Sequence, residues 1–273
     1  MRRIGVPTDF SDCAGLASEL ALHLAKKSKA ELLYLHLEID PSSPPHVPGE
    51  PATLVDHEIG RAKYKLSQLV KRAESFGISA KSELILDSGE GNIQDYIEPF
   101  GIDWLVMGSH GVKGIREALI GSKTQHVVQH VSVPTLVVKQ LTPNFKLKNI
   151  VFASTFKEDA THALQVVTTF CELFNANLHL LFVNMISHLV DEKMSRLTMK
   201  NAMKEFNSIP FTVNITYTND EEFGIDQFAK SIDADMIAVA MERQSTLGRL
   251  LSPALALQLI NHSELPVLVV NPA

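Results

Sequence analysis

Apolar residues fall into two patterns along this chain. In one they form short, nearly continuous runs: RRIGVP from Arg2, ELLYLHLEI from Glu31, AKSELIL from Ala80, DWLVMG from Asp103 and TLVVK from Thr135. In the other they return every three or four positions. Leu16, Leu20 and Leu24 do so between Ser11 and Lys27, and Ile59, Leu66, Leu69 and Val70 share one side of a stretch from His57 to Phe76. The runs predict strands and the periodic stretches predict helices. Ser11 reads as the cap of the first helix. Shorter helices are expected at Asn92–Phe100 and Lys123–Val131, and DPSSPPHVPGEP from Asp40 reads as a proline-rich loop. Strands alternating with helices predict an α/β fold, a parallel sheet with helices on both faces. LLYLHL and WLVMG are apolar enough to be buried on both sides.

The pattern then recurs. KNIVFASTFKEDATHALQVVTTFCELFNANLHLLFVN from Lys148 aligns without a gap on the segment from Arg2, at a constant offset of 146. Ile4 meets Ile150, Phe10 meets Phe156, Ala17 meets Ala163 and Ala30 meets Ala176. Further on, DWLVMG meets DMIAVA from Asp235 and VPTLVV from Val133 meets LPVLVV from Leu265, now at an offset of 132. Matching halves with one internal deletion of 14 residues indicate a tandem duplication. The domains are expected at residues 1–140 and 147–273, joined by KQLTPNFKL with Pro143 and Asn144 as breakers. The deletion leaves room for a small helix near Glu192–Phe206, and TVNITYT is the third strand of the second half.

Composition narrows the class. A length of 273 residues suits two ordinary domains, and 45% apolar with 21% charged residues is a globular balance. With 25 Lys and Arg against 31 Asp and Glu, the net charge of -6 makes a poor nucleic-acid footprint. Cys13 and Cys171 are the only cysteines, too few for a disulfide framework, which fits a reducing compartment. No apolar run nears the roughly 20 residues that span a bilayer. Asp9 interrupts MRRIGVPTDF before any apolar leader can form. The expectation is a cytoplasmic protein that binds neither nucleic acid nor membrane.

The candidate chemistry lies beyond the carboxyl ends of the strands, where open α/β sheets bind ligands. The first strand ends in Pro7, Thr8 and Asp9. The fourth ends in MGSHGVKGIREALIGSKTQ, which carries Gly108, Gly111, Gly114 and Gly121 ahead of Ser122 and Thr124. Glycines let a ligand approach the backbone. Ser122 to Gln125 reads as a capping box, and a Gly-Ser step at a helix N-terminus offers N–H groups and a positive dipole end to an anion. Lys123 could add charge. A nucleotide or phosphate site follows, with a plain turn before a helix as the alternative.

The spacing Gly108-x2-Gly111-x9-Gly121-Ser122, with the opening VPTDFS and the closing VPTLVV, resembles the universal stress protein family over nearly the whole chain, as two domains in tandem. The loop spacing marks the ATP-binding branch. The resemblance implies a Rossmann-like, adenine nucleotide alpha hydrolase-like fold for each half, an open five-stranded parallel sheet in the order 3-2-1-4-5. It implies that Pro7, Thr8 and Asp9 line the nucleoside end and that Leu37, where valine is usual, packs on the base. Met107, Gly108 and Gly111 would cradle ribose and phosphates, and Gly121, Ser122, Lys123 and Thr124 would hold the phosphates. His110 is either a stacking group or an exposed loop residue. The cofactor would be ATP or AMP, with magnesium as an optional companion. The last strands, TLVVK and VLVVN, would otherwise leave open apolar edges. The resemblance implies that they pair antiparallel, within the chain or in a homodimer. The second half departs: Thr155 stands for Asp9, Ala240 for Gly108, Arg243 for Gly111 and Pro253 for Gly121. It is expected to keep the fold and lose the nucleotide.

Other features have plainer readings. Asp9 could hold magnesium or bond its own turn. Ser122 could accept a phosphoryl group, although capping and phosphate contact are the simpler roles. His126 and His130 lie four apart without a third metal ligand. MKNAMKEF is a core stripe, Cys13 and Cys171 are small buried residues, and Arg61, Lys65 and Arg72 form a solvated face. The leading expectation is a nucleotide-binding regulatory protein of the stress response with at most slow hydrolysis or autophosphorylation. Its rivals are an adenylate-utilising enzyme of a related fold and a scaffold that binds no nucleotide.

Overall fold

The computed structural model describes residues 1–39, 52–87, 93–110, 121–142, 145–156, 160–206, 208–241 and 253–271. The proline-rich loop, Gly111, Gly114, Pro143, Asn144 and Arg243 lie outside the described residues. The first half runs β1 (Arg3–Pro7), α1 (Asp12–Ser28), β2 (Glu31–Ile39), α2 (Ala52–Ser75), β3 (Ala80–Asp87), α3 (Gln94–Ile97), β4 (Trp104–Gly108), α4 (Ser122–His130) and β5 (Thr135–Val138). The second runs β6 (Asn149–Ala153), α5 (Ala160–Phe174), β7 (Asn177–Met185), α6 (Glu192–Ala202), β8 (Phe211–Thr218), α7 (Glu221–Ser231), β9 (Met236–Ala240), α8 (Pro253–His262) and β10 (Val267–Val270).

Differences from the sequence reading have local causes. α2 starts at Ala52, five residues before His57. α3 is only four residues long, and the chain then turns at Gly101 with φ +60°. α7 is a helix the sequence reading did not name. Asp220 caps it by accepting from Phe223 N at 3.1 Å, and two glutamates fill its first turn. The expected capping box at Ser122 is one position off. Gly121 is the N-cap, and its carbonyl accepts the first helical bond from Gln125 N at 2.9 Å.

Within each half the strands are parallel and follow the order 3-2-1-4-5, but the halves are not two separate open sheets. They share one ten-stranded mixed sheet, β3-β2-β1-β4-β5-β10-β9-β6-β7-β8. The join is antiparallel, with Val137 opposite Val267 and Leu136 opposite Leu268. Every residue of β5 and β10 is buried, so the pairing satisfies backbone groups that would otherwise face an apolar environment unpaired. Lys139 and Asn271, each just past the last strand of its half, tie the halves reciprocally. Lys139 Nζ donates to Asn261 O in α8 at 2.6 Å, and Asn271 Nδ2 donates to Val128 O and Val131 O at the end of α4.

Two cores lie on the two faces of the sheet, and each runs through both halves. One packs α1, α2, α5 and α6 through residues such as Leu20, Leu66, Leu164 and Met199. The other packs α3, α4, α7 and α8 through Ile97, Val127, Ile225 and Leu259. Trp104 meets Phe170 edge to face across the halves, ring centres 5.1 Å apart. Met199 and Met203 of MKNAMKEF are buried in the first core. Cys171 is buried too, and burial pushes its thiol up to about 12. Cys13 is half-buried rather than buried. Duplication is visible in the backbone. Phe10 and Phe156 both take positive φ after their first strands, as do Lys29 and Asn175 after their first helices. Asp103 accepts from Arg2 N and Arg3 N as Asp235 does from Lys148 N and Asn149 N. Among the described residues no helix is long and apolar enough to cross a membrane.

Candidate functional site

In the order 3-2-1-4-5 the chain leaves β1 to one side and reaches β4 on the other, so the switch point is the gap between the ends of β1 and β4. α1 begins beyond β1 and α4 beyond β4, on opposite faces. Both helix starts therefore flank this gap, each with backbone N–H groups in its first turn that have no intrahelical partner.

The β1 side is a tight turn. Thr8 is buried. Its N–H donates to Leu35 O at 2.8 Å and its hydroxyl accepts from Phe10 N at 3.0 Å. Phe10 takes φ +62°, a conformation that a bulky side chain adopts only when its surroundings impose it. Asp9 Oδ1 accepts from Ser11 N at 3.1 Å and Ser11 Oγ at 2.6 Å. Ser11 Oγ in turn caps α1 by accepting from Ala14 N at 3.2 Å. The carboxylate thus bonds its own turn. Pro7 and Leu37 are half-buried at the ends of β1 and β2, and Leu37 packs against the second core.

The β4 side is built around Gly108. A Cβ there would lie 2.8 Å from the backbone carbon and oxygen of Cys13, so glycine lets the first turn of α1 rest on the end of β4. Met107 is buried beneath it. Thr124 is buried, and its hydroxyl donates to Gly108 O at 3.0 Å, tying α4 to β4. Gly121 N donates to Ser109 O at 2.9 Å, which closes the two ends of the intervening loop on each other. At the start of α4, Gly121 supplies no side chain to cap the first turn. An anion is the natural partner for those N–H groups. For Ser122 and Lys123 the backbone is described as the opening of α4. His110 lies at the same rim. Burial, with the Lys139 charge nearby, pushes its imidazole below the ordinary value, so it is neutral near pH 7. The buried Ser109 hydroxyl and His110 Nδ1 are 2.7 Å apart.

The structure therefore brings Pro7, Thr8, Asp9, Met107, Gly108, His110 and the Gly121–Thr124 turn together at the neighbouring ends of β1 and β4. Sequence reasoning missed His36, Phe10 and Ser109. His36 is buried, with Nδ1 2.7 Å from Thr8 O and its ring 4.4 Å from that of Phe10. The signal was the polar residue following Leu32 and Tyr34 on the alternating face of β2. Elsewhere, the His126 and His130 rings stack 4.3 Å apart. Among the described residues no three His, Cys, Asp or Glu gather as metal ligands. Arg72 pairs with Glu19 at 2.8 Å, and Lys65 Nζ lies 4.7 Å over the Phe10 ring, so the basic side of α2 is partly engaged with α1 and its turn.

In the second half the turn survives. Phe156 N donates to Ser154 Oγ at 3.0 Å and Phe156 has φ +58°. Ala240, with a side chain, stands at the Gly108 position, and α8 opens at Pro253, which has no N–H to offer. A small hollow remains, lined by Ser154, Thr155, Phe182, Val183 and Glu221.

A model of the universal stress protein family matches residues 1–139 and again 146–271. The chain is 28% identical over 141 residues to universal stress protein MJ0531 of Methanocaldococcus jannaschii, covering 51% of this chain and 82% of that one. It is 31% identical over 144 residues to universal stress protein YxiE of Bacillus subtilis, covering 49% and 96%. Among solved structures, a universal stress protein from Archaeoglobus fulgidus shares the fold across 99% of this chain and 96% of its own, with TM-score 0.77 at 19% identity.

Proposed function

We propose that this chain, which belongs to the universal stress protein family, binds an adenine nucleotide, ATP or AMP, in its first half and acts as a regulator in the stress response. The observation that carries the proposal is the convergence at one switch point of the Thr8–Asp9 turn, the end of β4 at Gly108 and the start of α4 at Gly121. The N–H groups that open α4 at Gly121, Ser122, Lys123 and Thr124 would hold the phosphates, backed by the helix dipole. Pro7, Thr8, Asp9 and Leu37 would face the nucleoside, and Met107, Gly108 and His110 the region between. Magnesium would ride on the phosphate oxygens, the usual place for that cation.

Rapid hydrolysis is not part of this reading. Phosphoryl transfer needs a positioned metal and a group that orients the attacking water. Asp9, just past the end of β1, already accepts two bonds from Ser11. The second half lacks Gly108, Gly111 and Gly121 equivalents and serves as the structural partner of the first. The free thiols of Cys13 and Cys171 accord with a reducing compartment such as the cytoplasm.

The test is to denature the purified chain, assay the released nucleotide, and titrate the ligand-free protein with ATP and AMP. One site per chain without rapid turnover supports the proposal. Rapid turnover supports an adenylate-utilising enzyme, and no binding of either nucleotide supports a scaffold.

A further inference from the structure

We infer that His36, outside the set of nucleotide-contacting residues, is the positioning residue that sets the Thr8–Asp9 peptide for the ligand. This deepens the nucleotide proposal and rests on it. On β2, Leu32, Tyr34 and His36 share one face, and Tyr34 is fully buried. A histidine continuing that face into the interior needs an acceptor for its ring N–H. A carbonyl only accepts, so the Nδ1–H donates to Thr8 O at 2.7 Å. Nε2 lies 3.3 Å from Glu38 Oε2. With that bond all three polar groups of Thr8 are engaged: N–H by Leu35 O, hydroxyl by Phe10 N and carbonyl by His36. The Phe10 ring, 4.4 Å away, closes the imidazole in from the turn side.

The duplicate half separates this role from simple turn-making. There Ser154 N still bonds Leu181 O, at 3.3 Å, and the Phe156 turn has the same hydrogen bond and the same positive φ. Yet Phe182 stands where the first half has His36. The turn therefore forms without an imidazole. What His36 adds is a donor that fixes the peptide plane between Thr8 and Asp9, in the half that also keeps Asp9 and the glycine spacing.

The experiment uses the full chain with His36→Phe and His36→Asn. Phe182 shows that this fold accepts phenylalanine here, and Asn restores a donor near the Nδ1 position. Two readouts are taken. Without nucleotide, amide exchange at Phe10 and Ser11 should quicken about tenfold in His36→Phe, the scale of one lost hydrogen bond, and return most of the way in His36→Asn. With ATP, affinity should fall about tenfold in His36→Phe and recover in His36→Asn. Unchanged exchange in His36→Phe, or an Asn variant no better than the Phe variant, overturns the inference. Exchange that responds in a chain whose wild type binds no ATP overturns the nucleotide proposal and leaves His36 holding the turn alone.

Discussion

Two glycines, at the end of β4 and the start of α4, carry opposite requirements. Gly108 is needed for packing, because a Cβ would press on the Cys13 backbone at 2.8 Å. Gly108→Ala should therefore lower the thermal unfolding midpoint, by the equivalent of about 1–3 kcal/mol for an overpacked site. An unchanged midpoint would contradict that packing. Gly121 has φ -60° and ψ 141°, which any residue can adopt. Gly121→Val should fold normally while losing about tenfold or more in ATP affinity, as bulk at the helix start displaces phosphate. Calorimetry with unchanged affinity would remove Gly121 from the site. The sequence shows both glycines in one spacing motif and cannot tell them apart, because what lies against Gly108 is the backbone of a residue 95 positions earlier. Thr124 and Asp9 are similar cases. Their positions are legible; the Asp9 bonds from Ser11 are local and among its expected roles, whereas the Thr124 bond to Gly108 O depends on α4 folding back onto β4.

At the level of elements, apolar runs and helical periodicity locate the strands and the long helices well, because burial on both faces leaves a simple pattern. α7 escapes that reading because Gly224 interrupts its apolar spacing. The strand starts are clamped by charge. Glu31 on β2 meets Lys81 of β3 at 2.9 Å and Arg3 of β1 at 2.6 Å. The Lys81 ammonium, joined by the Arg3 guanidinium, holds the Glu31 carboxyl below its ordinary 4.5. A lowered carboxyl contributes stability that is fully present above the unfolded value and is lost as pH falls through the folded value. The stability gap between wild type and Glu31→Gln should thus be full above pH 4.5 and shrink below it. The effect is modest, since the clamp is partly open to solvent. A gap that is flat across this window in denaturant titrations would remove the clamp from the acid response.

The whole molecule is one sheet made by two copies of one fold. Duplication is legible from the constant offsets. The continuity of the sheet is not, because strand pairing between halves leaves no local pattern beyond two unusually apolar last strands. Once β10 covers β5, neither edge is free to recruit another chain. Truncation after Glu264 removes β10 and should convert the chain into self-associating species in light-scattering chromatography. A truncated chain that stays monomeric and fully stable would show that the β5 edge needs no cover. The asymmetry between the halves is the central claim, and a crystal of the intact chain soaked with ATP tests it most directly. The prediction is one nucleotide per chain, its phosphates on the N–H groups that open α4 and its nucleoside beside Thr8 and Asp9. An adenylate bound only among Ser154, Phe182 and Glu221 of the second half would contradict it.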